Sequence, residues 1–113
     1  MSRQKEKRKK RRSRMTIFEK IRRALEPLDP VQVILFGSAA RGEMDAWSDV
    51  DLIVVRPTDL PFLDRAREVT PLLRKALGRS ADVLVYTPEE FEEMKERNVG
   101  IVAMALEEGV RVI

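Results

Sequence analysis

Apolar and polar positions alternate along this chain with two different periods. From Thr16 to Leu25 the apolar residues fall at 17, 18, 21, 24 and 25, a helical spacing, and Thr16 stands where an N-cap belongs. Pro27 and Pro30 end that segment. The run VQVILF at 31–36 is a short β-branched strand that enters a Gly37-Ser38 corner. Ser38 to Glu43 predicts a short helix closed by Gly42. DVDLIVV at 49–55 predicts a second strand, stopped by Pro57. Beyond Asp59, Leu60, Phe62 or Leu63, Ala66, Val69 or Thr70, Leu73 and Leu77 recur every three to four residues. They predict a long amphipathic helix, kinked or split at Pro71 and capped by Gly78. ADVLVY at 81–86 predicts a third strand, and Thr87-Pro88-Glu89-Glu90 a helix start with proline at the first helical position. Helices are expected near 88–97 and 99–107, and the closing VRVI predicts a small edge strand. The order α-β-α-β-α-β-α-α predicts an α/β domain, a small mixed sheet with helices packed on it.

Composition narrows the chemistry. The chain of 113 residues has room for one domain. It contains no cysteine and no histidine, which excludes disulfides, thiol nucleophiles, Ser-His-Asp triads and the usual zinc sites. Carboxylates, hydroxyls, Arg/Lys and a hard, oxygen-preferring cation such as magnesium remain. No apolar run approaches the roughly 20 residues a membrane helix needs, and no signal-peptide core is visible, so the cytoplasm is the expected compartment. The net charge of +3 conceals a strong asymmetry. Residues 1–14 hold nine Lys/Arg against one Glu, a net of +8, while the remainder holds 13 basic and 18 acidic residues, a net of −5. The first segment therefore predicts a disordered basic tail ahead of a domain at 15–113. That tail reads either as a handle for nucleic acid or another acidic partner, or as a solubilising extension upstream of a start at Met15 rather than Met1.

The most informative feature lies at the mouths of the strands. Side chains alternate along a strand, so Asp49, Asp51 and Ile53 share one face and Val50, Leu52 and Val54 the other. Two carboxylates that close resist joint ionisation unless a cation sits between them. Asp82 repeats the arrangement at the start of the third strand. The three make an oxygen-only cluster of the kind that holds two magnesium ions, about 3.5–4 Å apart. The bland alternative makes these aspartates turn or edge residues. Gly37 lets backbone approach an anion without a Cβ in the way, Ser38 adds a hydroxyl, and Arg41 one turn on carries a guanidinium suited to phosphate. Together they describe a triphosphate seat beside a metal cluster.

These residues resemble a known family. GSAARGEMDAWSDVD, with ten residues between Gly37-Ser38 and the Asp49-x-Asp51 pair, is similar to the GSx10DxD signature of the DNA polymerase beta-type nucleotidyltransferases, in the form of the minimal single-domain members. The resemblance is close over 31–86 and extends to all of 15–113. It implies a polymerase beta palm-like fold. Gly37, Ser38, Arg41 and Ser48 would bind the nucleotide, Asp49 and Asp51 would ligate magnesium, and Asp82 would complete the site and help activate the attacking hydroxyl. The implied reaction transfers a nucleotidyl group, AMP from ATP being the leading case, to a hydroxyl. Many minimal members act beside a helical HEPN-domain partner as antitoxin to a ribonuclease toxin, some by transferring AMP to a toxin tyrosine. The chain has no helical acceptor-binding domain of its own, which fits that arrangement. Two other readings stay open: transfer to RNA or a small molecule, with the basic tail as handle, and a non-catalytic module that binds a toxin or senses nucleotide.

Overall fold

The structure is a computed structural model that describes residues 15–43, 49–98 and 100–113. The basic segment 1–14 and Ser48 lie outside the described residues. Helix α1 spans Ile17–Leu25, and the Thr16 hydroxyl caps it by accepting from the Glu19 amide at 3.2 Å. Strand β1 spans Gln32–Phe36 and β2 spans Val50–Val55. Helix α2, Ala66–Leu77, crosses over to β3, Ala81–Tyr86. Helices α3, Pro88–Arg97, and α4, Gly100–Glu108, then lead to the short strand β4, Val110–Arg111. The sheet order is β3-β2-β1-β4, with β2 and β3 parallel and β1 antiparallel to both β2 and β4. Among the described residues no helix is long and apolar enough to cross a membrane.

Both faces of this sheet are covered, and strand alternation divides the core accordingly. Val33 and Leu35 of β1 and Val50, Leu52 and Val54 of β2 pack with Ile21 and Leu25 of α1 and Val69 and Leu73 of α2. Ile34, Phe36, Ile53 and Val55 turn the other way, onto Phe91 of α3 and Val102 and Ala105 of α4. Double burial is why the strands read as unbroken apolar runs. It also makes the aspartates at their mouths conspicuous.

Three expectations from the sequence need correction. Ser38–Glu43 is not a helix: one 3-10 turn covers Gly37–Ala39, and Gly42 follows at φ +72°. The helix expected from Asp59 begins at Ala66, after a separate 3-10 turn at Phe62–Asp64. Leu60, Phe62 and Leu63 are therefore exposed, Leu63 to 86%, instead of lining an apolar stripe. The cause is Arg65, whose guanidinium is buried at the corner. It donates to the carbonyls of Leu60 (2.9 Å) and Val85 (3.2 Å), grips Glu90 through both terminal nitrogens (2.6 and 3.3 Å), and lies 5.6 Å from the Phe62 ring centroid. These contacts hold the segment before Ala66 out of helical register. Finally, α2 runs through Pro71 as one element and is not split there. The capping expected at Thr87 is present in full: its hydroxyl accepts from the Glu90 amide at 3.2 Å while Glu90 accepts from the Thr87 amide at 2.8 Å.

Candidate active site

The site lies where β1 ends and where β2 and β3 begin. Because β1 runs antiparallel to β2, its last residue Phe36 is paired with Asp51, and the chain must leave the sheet beside that carboxylate. It does so at Gly37, with φ +72°, a left-handed conformation that residues bearing a Cβ resist. The glycine is required twice over. A Cβ built there would overlap Asp51 Oδ2 and sit 3.3 Å from its Cγ. The Asp51 carboxylate thus occupies the space that any other residue at 37 would fill.

The next residues tighten into a turn. The Gly37 carbonyl accepts from the amides of Ala40 (3.2 Å) and Arg41 (3.3 Å), and the Ser38 carbonyl accepts from Arg41 (3.2 Å) and Glu43 (2.9 Å). Ser38 is half-buried within this turn. Arg41 is half-exposed, and its guanidinium is engaged by carboxylates: Nε lies 3.1 Å from Glu43 and Nη1 lies 3.9 Å from Glu108 at the end of α4. Glu43 and Glu108 were not anticipated from the sequence. Glu43 follows Arg41 by two residues and could have been suspected, but Glu108 reaches it only through the fold.

The parallel pairing of β2 with β3 puts Asp51 opposite Asp82, so the two carboxylates share a face at the same level of the sheet. Asp49, two residues before Asp51, is exposed, as is Asp82, while Asp51 is half-buried between them and the Gly37 turn. The Asp51 carboxyl titrates above the ordinary aspartate range. Burial is the largest cause, followed by the negative charges of Asp82 and then Asp49. This electrostatic frustration is what a hard cation would relieve, and the donors are all oxygen, as magnesium prefers. Among the described residues no group of three carboxylates is drawn together tightly enough to form a preassembled ion cage. Mutual repulsion keeps such groups apart until a cation offsets it.

A family described as "Nucleotidyltransferase domain" matches residues 15–112. No match was found among curated proteins. Among solved structures, a chain of a toxin-antitoxin complex with AMP-PNP superposes with a TM-score of 0.61 at 23% identity, covering 85% of this chain and 72% of that one. A chain of a mutant of the toxin-antitoxin MntA-HpeT gives a TM-score of 0.60 at 21% identity with the same coverage. At these identities the likeness is one of fold.

Proposed function

The chain belongs to the nucleotidyltransferase domain family, and from that premise we propose that it transfers AMP from ATP, with magnesium, to a hydroxyl on a partner protein. The observation that carries this reading is the packing of Gly37 against the Asp51 carboxylate with Asp82 opposite. A phosphate-approaching turn and a set of repelling carboxylates meet at one strand mouth. Asp49, Asp51 and Asp82 would hold the cation, and two ions are expected. When bound, magnesium neutralises charge building on the attacking and leaving oxygens.

The chain's own residues do the positioning. The Gly37-Ser38 turn takes the triphosphate, with backbone approach permitted by the glycine and a hydroxyl from Ser38. Ser48, next to Asp49 in the sequence, is assigned to the same nucleotide. Arg41 joins by exchange. Its pairs with Glu43 and Glu108 are solvent-exposed, worth about 0–1 kcal/mol, so a phosphate displaces them at little cost. The acceptor oxygen forms a bond to the α-phosphorus, the bond to the bridging oxygen breaks, and pyrophosphate leaves. The hydroxyl proton passes to the Asp82 carboxylate, which is exposed and reachable from outside.

Asp49 and Asp82 face solvent, so the mouth of the site is open on that side. We infer that a partner protein closes it and presents the hydroxyl, because orientation of the reactants supplies several kcal/mol of the barrier reduction. We assign that role to a tyrosine of a helical HEPN-type toxin, this chain being its antitoxin. The two solved toxin-antitoxin chains that share the fold support a toxin as the partner. Incubation with α-labelled ATP and magnesium should label a co-purified helical toxin and raise its mass by one or more AMP units, and Asp51→Asn should abolish the label. A toxin of unchanged mass beside labelled RNA 3′ ends would replace the protein acceptor with RNA.

A further inference from the structure

We propose that a cationic strip across α1 and α2 binds the phosphate backbone of a polynucleotide. The helices divide by charge. Together α1 and α2 carry six Lys/Arg against two Glu, whereas α3 and α4, on the opposite side of the sheet, carry seven Glu against two Lys/Arg. Lys20, Arg23 and Lys75 rim one groove between α1 and α2, and Lys75 also rims the adjoining groove with Arg74. One strip therefore runs unbroken over both helices. Neither Lys20, Arg23, Arg74 nor Lys75 forms an ion pair with a described residue, although glutamates are plentiful elsewhere on the molecule. Lys20 and Arg23 face Lys75 across the first groove and Arg74 continues the row along α2; such uncompensated cations repel and are tolerated where an extended anion is to be received.

The anion's class follows from the floor and the surroundings. The groove floor is small and apolar, formed by Ala24, Leu72 and Ala76, so a sugar-phosphate chain can lie close to the helices. None of the large exposed apolar residues among those described, Val31, Leu60, Phe62, Leu63, Met104, Leu106 and Val110, lines either groove. A membrane surface would need such residues beside the cations to insert. Met15 lines the same groove, and the sequence places a further net +8 directly before it, without a single aromatic residue. Dense charge without apolar anchors matches a uniformly charged polymer read through counterion release. The strip also ends at the catalytic end of the sheet: α2 leads into Ala81 and Asp82, and the Ser80 carbonyl accepts from the Val50 amide at 3.1 Å.

The test uses the full chain without nucleotide or magnesium, so its result bears on this surface alone and leaves the transferase reading untouched. Fluorescence anisotropy with a fluorescein-labelled single-stranded RNA, repeated between about 50 and 200 mM salt, gives the slope of log affinity against log salt. Lys20→Ala/Arg23→Ala/Arg74→Ala/Lys75→Ala should reduce that slope by about three units, from ~0.7 per lost phosphate contact. A control lacking Lys95 and Arg97 on α3 should keep the wild-type slope. Equal slopes for the strip variant and wild type would overturn the proposal, as would a control slope that falls as much per charge removed. Tighter binding to phosphatidylserine vesicles than to RNA at the same salt would also overturn it, and so would displacement of the RNA by polyglutamate at equal charge. Melting temperature checks that the exposed substitutions leave the fold intact.

Discussion

Replacing Gly37 with alanine imposes two separate penalties, and a second glycine allows them to be measured apart. The first is backbone strain: φ is +72°, and an L-residue held there costs about 1–2 kcal/mol. For a domain of this size that corresponds to a melting temperature lower by roughly 5–15 °C. The second penalty is local. The new Cβ would overlap Asp51 Oδ2, and ordinary contact needs about 3.4 Å or more, so the carboxylate must retreat by on the order of 1 Å. Misplacement of that size at a reacting centre reduces rate about 100-fold. Gly42 has the same φ of +72° but nothing within 4 Å of a built Cβ. Gly42→Ala should therefore lose comparable stability while keeping transfer within a few-fold of wild type. The assay pairs thermal unfolding with single-turnover transfer and with manganese binding followed by electron paramagnetic resonance. Gly37→Ala should weaken manganese binding and Gly42→Ala should not. If both variants lose activity equally, the damage is general strain, and the assignment of Gly37 as the seat of the Asp51 carboxylate is wrong.

Asp51→Asn should stabilise the metal-free fold modestly, because burial and then the neighbouring Asp82 and Asp49 carboxylates oppose the charge. Since the folded-state titration lies above the unfolded one, wild type loses stability as pH rises through it. The variant's advantage in melting temperature should be largest near neutrality and vanish below the ordinary aspartate value of 3.8, where both states are protonated. Glu90→Gln should destabilise by about 1–2 kcal/mol, less than a fully buried pair because Glu90 is partly exposed. Glu90 titrates below its ordinary range, chiefly through the hydrogen bond from Arg65 and then that from the Thr87 amide. Its contribution is present above the ordinary value of 4.5 and fades as pH falls through the depressed one, so acid unfolding should lose part of its slope in the variant; an unchanged acid limb would refute the pairing. Gly109→Ala should destabilise by ~1–3 kcal/mol, since a Cβ there would overlap the Ala105 carbonyl and come within 2.8 Å of Ile34 Cγ2 and 2.9 Å of the Leu35 carbonyl. Chemical denaturation measures it, and a wild-type midpoint would show that the α4–β4 corner yields freely.

The strands were legible because double burial leaves an unambiguous mark, a β-branched run with charge only at its mouth. Asp51 and Asp82 could be matched from sequence since each opens such a run, and the parallel register pairs them directly. What failed was periodicity without context. Leu60, Phe62 and Leu63 recur at helical spacing, yet the helix starts only after Arg65, a cation that no hydropathy pattern assigns to the interior. Its partners, the Val85 carbonyl and Glu90, come from later in the chain and exist only once β3 and α3 are assembled. The turn after Gly37 failed differently. Gly37 and Gly42 both hold left-handed backbone, which leaves room for only one 3-10 turn between them, so the helix expected to close at Gly42 does not form.

Strand β2 explains how so small a domain carries a frustrated site. Val50, Leu52 and Val54 anchor it to one helical layer, and Ile53 and Val55 anchor it to the other, so all five are fully or almost fully buried. Each such side chain contributes about 1.5–3 kcal/mol through burial. Against that, the unfavourable placement of the Asp51 carboxylate is small, and it falls at the start of the strand, on the face opposite the buried Val50. The core thereby holds a charge in a position it would not choose for itself. In the reading proposed above, a cation at that mouth would meet Asp51 already seated against Gly37, while the exposed Asp49 and Asp82 would close on it as it binds.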